Sequence, residues 1–163
     1  MITPRDGTGF RPSLIQAIRN NDKELIMKLI TKAIINALAK TPYGKTDGQP
    51  REDKKVIARF FGGAACTWYV LEDDSFFTDD EHKDDQHIDE NMIVFAACSL
   101  GHGFELGSVS IKELSEMKFP IKVRCPNGQV VTIGYSHVER DHFVEPLKKT
   151  LGELMKAHNE EWM

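Results

Sequence analysis

The chain has 163 residues, close to the length of one domain, and with 40% hydrophobic and 28% charged residues it is neither a disordered nor a low-complexity polymer. Its 21 basic and 25 acidic residues give a formal charge of -4, which excludes a uniformly basic nucleic-acid coat protein. It contains no apolar run of about 18 residues, and no apolar leader follows Met1, so a single cytoplasmic domain without a membrane span is expected.

In chain order, Leu14, Ile15 and Ile18 predict a short helix after Ser13. Leu25, Ile26, Leu29, Ile30, Ala33, Ile34, Ala37 and Leu38 then predict a longer helix, with Asn20 to Asp22 able to cap it and an end near Lys40. Residues 41–53 are rich in turn formers and read as a loop. The runs 56–61 and 66–71 flank Gly62-Gly63-Ala64-Ala65 and predict a hairpin, with Trp68 and Val70 on one face and Thr67 and Tyr69 on the other. Strands are expected over 92–98 and 105–111, followed by a short helix over 112–117 that Ser110 can cap. A second hairpin over 121–125 and 129–135 turns at Pro126-Asn127-Gly128, and an amphipathic helix starts at Pro146 and runs to Trp162. The fold class expected is α+β: an antiparallel sheet of about five to six strands over 54–146, with N-terminal helices over 1–41 and a C-terminal helix over 146–162.

Charge is segregated along this order. Residues 1–59 carry a balance of +6, residues 72–90 a balance of -9, and residues 91–163 a balance of -1. The acidic stretch, with Asp79, Asp80, Glu81, Asp84, Asp85, Asp89 and Glu90, is the first place to expect a protein partner steered by charge, as a solvated loop or as a mimic of nucleic-acid phosphate spacing. His82, His87 and Asp89 within it are candidate ligands for a divalent metal, although their spacing fits no familiar motif. Arg19, Lys23, Lys28 and Lys32 on the N-terminal helices could attract nucleic acid, but no aromatic residues are interleaved with them for base stacking.

The three cysteines, Cys66, Cys98 and Cys125, are widely spaced and read as reduced thiols rather than a disulfide framework or zinc pair. Glu139-Arg140-Asp141 and Glu105 read as structural charges at strand ends, and Phe60, Phe61, Trp68, Tyr69 and Phe95 as core aromatics. Gly101-His102-Gly103 is too short for a phosphate loop.

Three ordered blocks carry a resemblance: Arg59-Phe60-Phe61 with Thr67 to Glu72; Ile93 to Phe95 with Gly103 to Leu114; and Val138 to Asp141 with Phe143 to Pro146. Across 56–154 the chain resembles a small family of bacterial, plasmid and phage proteins that is known as a domain of unknown function. It departs from that pattern in its basic N-terminal helices, its extended acidic segment and a hairpin between Lys118 and Ser136. The resemblance implies a mobile-element setting and supplies no catalytic residues or cofactor. The reading that follows is a non-enzymatic accessory protein that binds another protein. A metal-dependent protein using His82 and His87 is the alternative, and a nucleic-acid-binding factor the second.

Overall fold

A computed structural model describes residues 24–74 and 92–162. The short helix expected around Leu14 to Ile18 lies outside them. Residues 24–29 are helical and α1 (Lys32–Lys40) follows, so the single long helix expected here is interrupted. The break falls at Thr31, which takes an extended backbone and accepts the Ile34 N–H on its hydroxyl at 3.3 Å. A threonine that satisfies a free N–H this way starts a new helix as readily as it continues an old one. Ile26, Leu29, Ile30, Ile34, Ala37 and Leu38 are buried along one stripe, while Lys28 and Lys32 are exposed.

The main sheet contains β1 (Ala58–Gly62), β2 (Cys66–Asp73), β3 (Ile93–Leu100), β4 (Glu105–Ser110) and β7 (Glu139–Arg140), in the order β4-β3-β2-β1-β7 and antiparallel throughout. Central β2 is covered on both faces, which is why Thr67 to Leu71 reads as a near-continuous apolar run. Trp68 and Val70 pack with Phe60, Val94 and the N-terminal helices, as their shared phase predicts. Tyr69 and Leu71 pack on the opposite face with Phe104, Leu151, Leu154 and Met155. The fold is therefore α+β with a helical layer on each side of the sheet. α2 (Ile111–Glu116) follows β4 and begins at Ser110, whose hydroxyl accepts the Glu113 N–H at 3.3 Å.

Two expectations are corrected here. The second hairpin, β5 (Lys118–Arg124) and β6 (Val130–His137), does not join the main sheet but forms a separate two-stranded ribbon. The C-terminal helix, α3, spans Leu151–Ala157 and does not start at Pro146. Leu147 has φ +61, which breaks any helical run from Pro146. Thr150 and Glu153 then form a reciprocal capping box that fixes the start one turn later. The intervening segment ties the chain to β1's approach, through Leu147 N–H to the Val56 carbonyl (2.8 Å) and Val56 N–H to the Lys149 carbonyl (3.0 Å).

Among the described residues no helix is long and apolar enough to cross a membrane.

Candidate functional site

The acidic residues Asp79, Asp80, Glu81, Asp84, Asp85, Asp89 and Glu90, the metal candidates His82 and His87, and Arg19 and Lys23 of the basic front lie outside the described residues. Lys28 and Lys32 are exposed on the outer side of the N-terminal helices. Glu72, which opens the acidic stretch in the sequence, is not a surface charge. A bulge after Val70 disturbs the β2–β3 register, and Glu72 turns into the 43–48 turn with 1% exposure. It accepts the Gly44 N–H at 2.8 Å, the Thr46 N–H at 3.2 Å and the Thr46 hydroxyl. The Lys54 ammonium, itself buried, sits 4.0 Å away and donates to the Thr46 carbonyl at 2.7 Å. This carboxylate organises the loop between α1 and β1.

Two charged residues far apart in sequence, Arg59 and Asp141, converge with Glu160 of the C-terminal tail. Arg59 donates from Nε to the Tyr69 hydroxyl (3.2 Å) and from Nη1 to Asp141 Oδ2 (3.3 Å), and its Nη2 lies 3.6 Å from Glu160 Oε1. The Tyr69 hydroxyl donates in turn to Glu160 Oε1 at 2.8 Å. β1, β2, β7 and the C-terminal tail thus meet at one guanidinium. Arg140, adjacent to Asp141 in the chain, takes no part in these contacts, and its Nε is buried without a hydrogen-bond partner. The arrangement is a clamp on the fold: Asp141 Oδ2 and Glu160 Oε1 are both held by protein donors, while Glu160 Oε2 is buried without a hydrogen-bond partner.

Two further surfaces among the described residues are open to a partner. The first is a groove of about 590 Å³ between the β2–β4 surface and α2. Trp68 and Cys98 form its floor, Leu114 and Met117 its helical wall, and Glu105 and Glu113 carry its charge; among the described residues no Lys or Arg lines it. Sites of this size with a mostly apolar lining and few polar groups are ordinary docking cavities. The second is the β5–β6 ribbon. Ile121, Val123, Val130, Val131, Ile133 and Tyr135 are each between 40% and 65% exposed. Residues 118–137 include Lys118, Lys122 and Arg124 and no Asp or Glu. Paired positions place Ile121, Val123 and Val131 on one face, and Lys118, Lys122 and Arg124 on the other. At its root, Phe119 lies over the backbone of Gly62 and Gly63, where a Cβ would stand 2.5 and 2.7 Å from the ring.

Sequence reading missed both surfaces. The groove is assembled from three strands and a helix, so nothing local announces it. The ribbon did carry a signal: Val130, Val131 and Ile133 put apolar residues in both phases of one strand, and no carboxylate interrupts the run of cations.

The three thiols are free, as expected, and each is partly buried. Burial pushes the Cys98 thiol up to about 11, with the Glu105 carboxylate adding to it, and burial also raises Cys66. The Tyr69 phenol is raised by burial and then by the Glu160 carboxylate. In each case the folded value exceeds the unfolded one, so the unfolded chain ionises first as pH rises. The stabilisation is whole below the ordinary thiol value of 9.0 and is lost as pH climbs towards about 11. Urea titrations are expected to show the unfolding free energy declining between pH 9 and pH 11; a curve that stays level over that window contradicts these assignments.

Among the described residues no group of three or more His, Cys, Asp and Glu side chains is placed to hold a metal ion. Comparison with protein-family models, with curated proteins and with solved structures found no match for this chain.

Proposed function

We propose that the chain is a non-enzymatic accessory protein of a phage or mobile element that works in the bacterial cytoplasm by binding another protein, and that the β5–β6 ribbon is its principal contact element. One observation carries this reading: a ribbon set apart from the sheet exposes six large apolar side chains beside three cations. Contiguous apolar surface rimmed by charge marks protein contacts, because its desolvation drives association while the rim sets partner choice. The acidic residues 79–90 offer a second contact of opposite sign.

The test uses the tagged full chain in nuclease-treated host lysate. The wild type is expected to capture a defined protein that the double variant Ile121→Glu/Ile133→Glu loses, while both give the same circular dichroism and thermal midpoint. Equal capture by both proteins, or no capture by either, refutes the reading.

A further inference from the structure

We infer that the groove beneath α2 is the receptor for the β5–β6 ribbon of a second copy of this chain, the two copies exchanging ribbons about a twofold axis. The inference rests on the ribbon being a docking element, and it names the partner surface.

Charge is the first reason. The ribbon brings Lys118, Lys122 and Arg124 with no carboxylate, whereas the groove offers Glu105 and Glu113 and, among the described residues, no Lys or Arg. Opposite single-sign surfaces steer association and fix its register. Apolar content matches as well: Val130 and Tyr135, exposed and paired with Arg124 and Pro120, share the ribbon face of Lys122 and Arg124 and would meet Trp68, Leu114 and Met117. On that same face Lys122 and Arg124 would set their charged ends on the groove carboxylates.

Geometry then selects a second copy over the ribbon's own groove. Met117 is a wall of the groove, and β5 begins at the very next residue. The root is held there by Phe119 on Gly62 and Gly63, and by Val138, buried directly after β6. At roughly 3.3 Å per residue a seven-residue strand extends about 23 Å from that root. For the ribbon to lie in its own groove, the chain would have to reverse at Lys118 and lift Phe119 from its seat. A neighbouring groove needs no such reversal. An isolated two-stranded ribbon is also only marginally stable in water, so cover from another surface is what its composition calls for. With one ribbon and one groove per copy, reciprocal exchange closes as a symmetric dimer.

The experiment measures oligomeric state by analytical ultracentrifugation across a concentration series. The wild type is expected to dimerise, with a Kd that rises as NaCl is raised from about 50 to 500 mM. Lys122→Glu/Arg124→Glu makes the ribbon acidic, and Glu105→Lys/Glu113→Lys makes the groove basic; each is expected to raise the Kd at least about tenfold through like-charge contact. Mixed in equal amounts, the two variants are expected to form a heterodimer, because each ribbon again meets a groove of opposite sign. A wild type that stays monomeric, a dimer unaffected by either variant, or a mixture that fails to associate overturns the inference. Partner capture separates this from the broader reading. The groove variant keeps its ribbon intact, so capture by it alongside a monomeric wild type sinks ribbon exchange alone. Capture that survives Ile121→Glu/Ile133→Glu sinks the ribbon as the docking element altogether.

Discussion

Replacing Glu72 by Ala is expected to cost about 3–5 kcal/mol of stability, the largest effect of any single polar substitution described here. The side chain is 1% exposed, and its loss leaves the Gly44 and Thr46 N–H groups without their acceptor in a closed turn. It also leaves the Lys54 ammonium without its counter-charge, although that group keeps its bonds to the Thr46 carbonyl and hydroxyl. Breaking one side of a buried charge pair costs more than the pair contributes, because the survivor remains desolvated. For a chain of this length the thermal midpoint should fall by roughly 10 °C. Glu72→Gln keeps the shape and one acceptor oxygen, and should fall between the two. A midpoint within 2 °C of wild type for Glu72→Ala, by calorimetry, would remove this carboxylate from any organising role.

Replacing Arg59 by Leu should cost about 3 kcal/mol. The substitution keeps an aliphatic body on β1 but removes the donor that holds Asp141 and the charge that neutralises Glu160. Those two carboxylates, only 12% and 15% exposed, then face each other's region without a cation. Arg59→Lys should recover little, since a single ammonium cannot reach the Tyr69 hydroxyl, Asp141 and Glu160 in the forked pattern the guanidinium uses. A cycle with Glu160→Gln should return a coupling of about 1–2 kcal/mol by urea unfolding. Faster amide exchange should appear around Glu160 at the end of the tail before the β1–β2 hairpin loosens, because the clamp is one of the ties that fasten that end to the sheet. A loss below about 0.5 kcal/mol would mean that the cluster is an incidental surface contact.

These two sites show where sequence reading succeeds and where it stops. The α+β class, the shared face of Trp68 and Val70, the turn at Asn127-Gly128 and the Ser110 cap all follow from interactions within a few residues, and period and composition report those directly. The break at Thr31 lies in the same local range but was hidden, because an apolar stripe continues through both helical pieces. The clamp is another matter: Arg59 meets Asp141 across 82 residues, and Tyr69 meets Glu160 across 91. No periodicity encodes a contact of that separation. Glu72 misled for a different reason, since the seven acidic residues of 79–90 suggested water, and only the bulge after Val70 turns this one carboxylate inward. The ribbon and groove lie between these extremes, with their chemistry visible in the sequence and their separation from the sheet set by tertiary packing.

The seat of Phe119 has a bearing on how such a surface could diversify. Because its ring rests where two side chains are missing, the direction in which the ribbon leaves the body is set by Gly62 and Gly63, more than 50 residues upstream of it. A methyl group added at Gly62 changes no atom that a partner touches, yet it would re-aim the whole ribbon. For the contact role proposed for the ribbon, this means that specificity could drift through the β1–β2 turn while every contact residue stays the same, so that partner choice would be inherited partly as an angle.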